Sequence, residues 1–119
     1  MEVRILSHIC LVSDLGVSGN MYGGRLLYLL DEAAAIFAMS YAGEKRMVSR
    51  RFSEVEFRSP VCEGEILEFY ADNPVHGVTS LTFDIIVRVD GCRRFGANCT
   101  FVAVDEHGCK KAIDWSKHR

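Results

Sequence analysis

The sequence predicts an α+β fold, in which one long buried helix is wrapped by an antiparallel sheet of five or six strands. The segment from Leu26 to Phe37 is apolar on nearly every side of a helix, which indicates a buried helix. After Gly43 the chain contains only strand signals separated by short turns. Because the apolar face of such a sheet needs a cover, we expect the helix to pack across that face.

The composition is that of a single domain spanning residues 1–119. Apolar residues make up 49% of the chain and charged residues 25%, which is ordinary for a soluble globular protein. The net charge of −2 gives no attraction to nucleic acid. No apolar run reaches the ~20 residues of a membrane span, and the first residues do not lead into a signal peptide. We therefore expect no nucleic-acid partner and no membrane association.

The cysteines indicate a reduced, cytoplasmic protein. Five are present, which is an odd number, and none has CxxC spacing. This pattern predicts free thiols and argues against both a disulfide framework and a zinc site. We expect no metal site and a cytoplasmic location. The five residues are Cys10, Cys62, Cys92, Cys99 and Cys109.

The first half of the chain predicts a strand, a loop and the helix. The strand is expected at residues 3–12, and a loop rich in Gly and Ser at residues 13–19 leads from it to the helix. The helix should run from about Gly24 to Tyr41. It should end at Gly43, because Gly readily adopts the left-handed conformation of a helix C-terminus.

Alternation of apolar and polar residues predicts four further strands. They are expected at residues 47–58, 65–72, 79–90 and 93–105. Residues 73–77 should form a turn, and Asp90-Gly91 is a strong signal for a two-residue hairpin between the last two strands. From about residue 110 we expect a flexible, basic tail. Its cations are Lys110, Lys111, Lys117, His118 and Arg119.

Two carboxylates in the middle of the apolar helix are the main chemical signal. Burying Asp31 or Glu32 is costly without a partner, so at least one of them either lies at the rim or serves a purpose. Asp31 follows Gly23 by eight residues, a little over two turns, so its carboxylate lies on roughly the side of the free first-turn N–H groups. Those N–H groups favour a developing oxyanion. The pair suits attack of water on an acyl group.

The order and spacing of the motifs resemble a known family. Residues 19–24 read Gly-Asn-Met-Tyr-Gly-Gly, and residues 29–34 read Leu-Leu-Asp-Glu-Ala-Ala. Further matching segments are 48–49, 55–60, 64–65, Gly77 with Thr79-Ser80, and 99–105. Together they resemble the hotdog fold and, within it, the acyl-CoA thioesterases, over nearly the whole chain. The resemblance implies hydrolysis of acyl-CoA to a free acid and CoA, with no cofactor, since coenzyme A is part of the substrate and product.

The resemblance implies a role for each matching site residue. Asp31 matches the catalytic acid of the family, which acts as general base on water or as nucleophile. Asn20 matches a loop Asn that positions the thioester or the water. The backbone N–H of Gly23 would polarise the thioester carbonyl, and Ser49 stands where relatives often carry a Thr that orients the water.

Coenzyme A binding and assembly are also implied. Expected substrate- and CoA-binding residues are Gly24, Arg50, Arg51, Thr79 and Ser80, since Arg grips phosphate bidentately. Val78 departs from the pattern, because relatives frequently have an Arg there near the CoA phosphates. One helix covers one sheet face only, so we expect at least a dimer. In the family, the Asn and Asp of each site come from different halves of a dimer, and such dimers often stack into hexamers.

Several alternative interpretations stay open. Asp31 could be a rim residue without chemistry, Glu32 a salt-bridge partner about 100° around the helix, and Asn20 a helix N-cap. Ser49 could be an ordinary strand residue. The chain could be a non-catalytic acyl-CoA-binding hotdog module. A hotdog hydratase or dehydratase is disfavoured, because no His lies within or just before the helix.

Overall fold

Helix α1 (Gly23–Ala42) covers one face of an antiparallel sheet in the computed structural model, which describes residues 1–117. The sheet has five strands in the order β1-β3-β4-β5-β2, and each neighbouring pair is antiparallel. The strands are β1 (Val3–Ile9), β2 (Met47–Phe57), β3 (Ile66–His76), β4 (Ser80–Val89) and β5 (Cys92–Ala103). This arrangement confirms the predicted α+β class.

The core lies between α1 and the sheet. Alternating residues of the three central strands are buried in the core that the helix covers, from Leu67 to Ala71, from Leu81 to Val89 and from Phe95 to Phe101, as the two-residue period of a strand requires. The largest fully buried side chains of these strands are Leu67, Phe69, Leu81, Phe83, Ile85, Val87, Val89, Phe95 and Phe101. The alternating residues on the other face of the sheet are mostly polar. They include Thr82, Asp84, Asn98 and Thr100, so only one face of the sheet has an apolar cover.

The helix is buried along one side only, and the expectation of burial on nearly every side is wrong for the single chain. Its inner face consists of Leu26, Leu29, Leu30, Ala33, Ala34, Phe37, Ala38 and Ala42. The exposed face carries both carboxylates together with the apolar side chains of Leu27, Ile36 and Met39. One sheet can cover only one side of a helix, which leaves the second apolar side for another surface.

Two predicted turns form as their sequences indicate. Gly43 has φ 66° and its N–H donates to the carbonyl of Met39, so it ends α1 in the left-handed conformation. Asp90 and Gly91 have φ of 52° and 79°, the positive values that a tight hairpin turn with a right-handed twist requires. Both signals are local, and both predictions are confirmed.

Strand β3 is longer than expected, because residues 73–77 do not form a turn. Asn73, with φ 55°, lies in a β-bulge that shifts the register between Asp72 and Val75, and β3 continues to His76. The last pair with β1 is Val3 with Ala71, so the following part of β3 has no neighbour on that side. Pro74 is tolerated there because a free edge needs no N–H donor.

The expectation of a flexible tail from about residue 110 is wrong as far as residue 115. The N–H of Ile113 donates to Val78 at 2.9 Å, and the Ile113 side chain is buried. Lys111 Nζ lies 2.8 Å from the buried Glu44 carboxylate, and the indole Nε1 of Trp115 donates to the carbonyl of Gly77 at 2.8 Å. These contacts fix the segment to the turn between β3 and β4 and to the loop after α1. His118, Arg119 and the side chain of Lys117 lie outside the described residues.

None of the helices formed by residues 1–117 has the length and apolar character needed to span a membrane. All five cysteines are free thiols, of which Cys10 and Cys99 are buried.

Candidate active site

The start of α1 presents unpaired backbone N–H groups. Tyr22 occupies the N-cap position in an extended conformation, and no side chain caps the helix there, so the alternative of Asn20 as N-cap is wrong. Within residues 1–117 the N–H groups of Gly23 and Gly24 have no acceptor, whereas the N–H of Arg25 already bonds to the Tyr22 carbonyl. These free donors, at the positive end of the helix dipole, can stabilise an oxyanion.

Asn20 lies beside this helix start, in a groove of about 330 Å³ that Phe57 and Pro60 also line. Its main-chain carbonyl accepts a 2.8 Å hydrogen bond from Gly16, and its Oδ1 atom lies 3.9 Å from the thiol of Cys62. A β-carbon at position 23 would lie 3.5 Å from the Phe57 ring, so Gly23 borders the same aromatic side chain. The structure therefore brings Asn20 and Gly23 together.

Asp31 is exposed in the single chain, and within residues 1–117 its carboxylate has no hydrogen-bond or ion-pair partner. Partial burial by its apolar surroundings raises its pKa. The same charge contributes, after burial and Asp84, to raising the pKa of the Cys99 thiol to about 12, so Asp31 lies within electrostatic range of β5. An unpaired carboxylate with a raised pKa is a suitable general base. Glu32 forms no ion pair within the described residues, so the salt-bridge alternative is not supported there.

Asp31 does not meet Asn20 and Gly23 within one chain. The eight residues from Gly23 to Asp31 correspond to about 12 Å along the helix axis. That separation is several times the length of a hydrogen bond, so one small acyl group cannot contact both ends. Within the single chain, the predicted catalytic residues therefore lie in two separate places, with Asn20 and Gly23 in one and Asp31 in the other.

Four of the five predicted CoA-binding residues line one groove of about 380 Å³ on the open face of the sheet. They are Arg50, Arg51, Thr79 and Ser80, and Thr82 and Thr100 complete the groove. The register of β2 shifts between Ser49 and Arg51, and this bulge explains how two consecutive arginines reach the same groove. Within residues 1–117 neither arginine forms an ion pair, so both are available to an anion.

Ser49 and Gly24 lie apart from that groove. Ser49 is exposed on β2 opposite Phe101, and its hydroxyl has no hydrogen-bond partner among residues 1–117. Gly24 lines a different groove at the start of α1, together with Tyr22 and Arg25. Position 24 has little room for a side chain, since a β-carbon there would lie 2.8 Å from the Tyr22 ring.

A buried carboxylate near the helix start was missed by the sequence analysis. Asp14 is 3% exposed and accepts hydrogen bonds from His8 Nε2 at 2.7 Å, from the N–H of Leu11 at 2.9 Å and from Arg25 Nε at 2.8 Å. Burial alone would raise its pKa, but these hydrogen bonds outweigh burial and lower the pKa to about 2. Arg25, the one charge in the first turn of an apolar helix, was the available signal. The sequence does not reveal that Asp14 is the partner of Arg25, because this contact depends on how the loop before α1 folds back.

The described residues contain no group of three or more His, Cys, Asp or Glu side chains arranged to hold a metal ion.

Comparison with known proteins gives a consistent family. A family model described as the thioesterase superfamily matches residues 18–95. The acyl-CoA thioester hydrolase YciA of Escherichia coli is 30% identical over 118 residues, covering 92% of this chain and 89% of that protein.

Solved structures agree with that assignment. A hexameric hotdog fold thioesterase of Campylobacter jejuni is 30% identical, with a TM-score of 0.85 over 95% of this chain and 91% of that chain. An acyl-CoA hydrolase of Staphylococcus aureus, solved in complex with butyryl coenzyme A and coenzyme A, is 29% identical. Its TM-score is 0.82 over 94% of this chain and 68% of that chain.

Proposed function

The chain belongs to the thioesterase superfamily, and from this premise we propose that it hydrolyses the thioester of acyl-CoA to a free carboxylic acid and coenzyme A. The likeness to an acyl-CoA thioester hydrolase over 92% of the chain carries this conclusion. The fold is the hotdog fold of the structural neighbours. The free Gly23 N–H and the unpaired Asp31 supply the two chemical groups that thioester hydrolysis needs.

In the proposed reaction the Gly23 N–H donates to the thioester carbonyl oxygen and stabilises the oxyanion as it forms. Asp31, as general base, takes a proton from water while the water oxygen attacks the carbonyl carbon. The C–S bond then breaks, and the thiolate of coenzyme A receives that proton. Alternatively, Asp31 attacks directly, coenzyme A leaves, and water hydrolyses the resulting anhydride. Asn20 positions the thioester or the water, and Ser49 orients the water.

We propose that each site is shared between two copies of the chain. The separation of about 12 Å along α1 between Gly23 and Asp31 supports this arrangement. Strand β2 is an edge strand with exposed Val48, Val55 and Phe57, and the open side of α1 is also apolar, so a second copy can cover both. Assembly of such dimers into a hexamer follows the hexameric neighbour of Campylobacter jejuni.

For the coenzyme A moiety we propose the groove of Arg50, Arg51, Thr79 and Ser80, because two unpaired guanidinium groups and hydroxyls suit phosphate. No metal or further cofactor takes part in the proposed reaction. The five free thiols support a reducing location such as the cytoplasm.

The test is release of free thiol from a panel of acyl-CoA esters, short to long and including aromatic ones. The wild type should release coenzyme A, and Asp31→Asn should lose nearly all turnover while keeping its fold. Glu32→Gln is the matched control, because Glu32 is the adjacent exposed carboxylate and should tolerate the change. Full activity of Asp31→Asn would remove the mechanism. Binding of acyl-CoA without thiol release would favour the non-catalytic module instead.

A further inference from the structure

A second groove, of about 580 Å³, lies between the loop that precedes α1 and the first turns of the helix. Its walls are mainly apolar and aromatic, formed by Leu15, Val17, Tyr22 and Tyr28, and Arg25 lies among them. Tyr22 and Gly24 flank Gly23 in the chain, so the groove adjoins the proposed oxyanion donor. Neither the proposed catalytic residues nor the proposed groove for coenzyme A explains a guanidinium in this apolar setting.

Arg25 is held in place by two contacts on different sides. Its Nε donates to Asp14 Oδ1 at 2.8 Å, and its guanidinium carbon lies 4.9 Å from the centre of the Tyr28 ring. Asp14 cannot turn away, because its other oxygen accepts hydrogen bonds from His8 and Leu11. The guanidinium therefore has little freedom to move, and a fixed donor loses less entropy when it binds a ligand.

The terminal nitrogens of Arg25 remain available. Only Nε is engaged by Asp14, so the contact is single and not the two-bond pairing that a guanidinium commonly forms with a carboxylate. Within residues 1–117 neither Nη1 nor Nη2 has an acceptor, and the Arg25 side chain is 36% exposed. The free N–H groups sit beside apolar walls, where a charge-assisted hydrogen bond is stronger than in open solvent.

We propose that this groove is an anion subsite of the substrate, in which Arg25 binds a carboxylate or phosphate group while the tyrosine rings contact the adjoining carbon chain. This inference rests on the proposed function, which supplies acyl-CoA as the ligand. The anion has two sources in such a ligand: a carboxylate at the far end of the acyl group, or the phosphates of coenzyme A. Asp14 is then a positioning residue, because it acts through Arg25.

Three thioether ligands, which cannot be hydrolysed, separate these sources. They are an alkyl-CoA, the ω-carboxyalkyl-CoA of the same length, and the matching alkyl-pantetheine, which lacks the nucleotide phosphates. Dissociation constants are measured by calorimetry for the wild type, Arg25→Gln and Arg25→Lys. Arg4→Gln is the matched control, because Arg4 lies in β1 and forms an exposed ion pair with Glu68. Circular dichroism checks that each variant is folded.

Loss of one charge-assisted contact should weaken binding by about 10- to 100-fold in Arg25→Gln, and by less in Arg25→Lys, which keeps the charge. Weakening confined to the ω-carboxyalkyl ligand identifies the acyl carboxylate. Equal weakening of both CoA ligands, with the pantetheine ligand unaffected, identifies a phosphate. Equal effects on all three ligands, no effect, or no binding by the wild type would overturn the inference. Thiol release from acyl-CoA tests the proposed function separately.

Discussion

The Nε2 atom of His8 lies 2.7 Å from the buried carboxylate of Asp14, and this contact joins β1 to the loop that precedes α1. Arg25 extends the connection into the helix through its own hydrogen bond to Asp14. Three separate parts of the chain thus converge on one carboxylate. The loop that carries Asn20 is held between them, so Asp14 helps to determine where the proposed catalytic loop lies.

Asp14→Asn should destabilise the protein at neutral pH, and the difference should shrink in acid. The folded-state pKa of Asp14 is about 2, below the ordinary value of 3.8 for an Asp side chain. A group with a lowered folded-state pKa stabilises the fold at pH values above its unfolded-state pKa. For Asp14 this contribution is about 2 kcal/mol, and it is lost as the pH falls from about 4 towards 2. Urea unfolding at pH 7 and pH 3 measures it, with the exposed Glu63→Gln as control. A difference that is constant with pH would contradict the assignment.

The pH dependence of hydrolysis should report the raised pKa of Asp31. Only the ionised carboxylate can act as base or nucleophile, so kcat/KM should fall as pH decreases through that pKa. The acidic limb should therefore lie above about pH 4, the ordinary range of an Asp side chain. The profile of kcat/KM from pH 4 to 9 measures this. Glu32→Gln should leave the limb in place, and a limb at or below the ordinary Asp range in the wild type would argue against Asp31.

Mixed dimers should recover activity if the site is shared between copies. Asn20→Ala and Asp31→Asn are each expected to be strongly impaired, but a dimer with one copy of each variant has one intact site. Random pairing after unfolding and refolding an equimolar mixture should restore about a quarter of wild-type activity, since half of the dimers are mixed. Thiol release before and after mixing measures it.

The matched control for that experiment mixes Asp31→Asn with Asp31→Ala, which cannot produce an intact site. If Asn20 and Asp31 of the same chain acted together, no mixture would regain activity. Recovery in the first mixture alone therefore identifies a shared site.

The segment after β5 should contribute to stability and to substrate affinity. The Trp115 indole stacks on His76 with ring centres 3.8 Å apart and bonds to Gly77, next to the turn that carries Thr79. Trp115→Ala should lower the free energy of unfolding by about 2 kcal/mol, less than for a fully buried aromatic residue. It should also raise KM for acyl-CoA more than it changes kcat.

Thermal unfolding and steady-state kinetics of Trp115→Ala measure both effects, with Lys110→Ala as an exposed control in the same segment. Unchanged KM with lowered stability would assign Trp115 a purely structural role.

Local signals predicted most of the fold. The Asp90-Gly91 turn and the helix end at Gly43 depend on conformations that a few adjacent residues determine, so both could be identified in the sequence. The end of β3 could not be, because Asn73-Pro74 has the composition of a turn. It remains in a strand because Val75 and His76 pair with β4, while β1 begins at Val3 and leaves the other edge free. Likewise, the attachment of Trp115 depends on a carbonyl 38 residues away.

The candidate site shows the same division. The sequence by itself determined the α+β class, the helix with Asp31 in its middle and the Gly pair at its start, because periodicity and motif order are properties of neighbouring residues. Only the tertiary structure decided that Asn20 shares a groove with Phe57, that Arg50, Arg51, Thr79 and Ser80 line another groove, and that Asp14 holds Arg25 at the edge of a third, apolar one. Such relationships arise when distant segments pack together, and local pattern does not encode those distances.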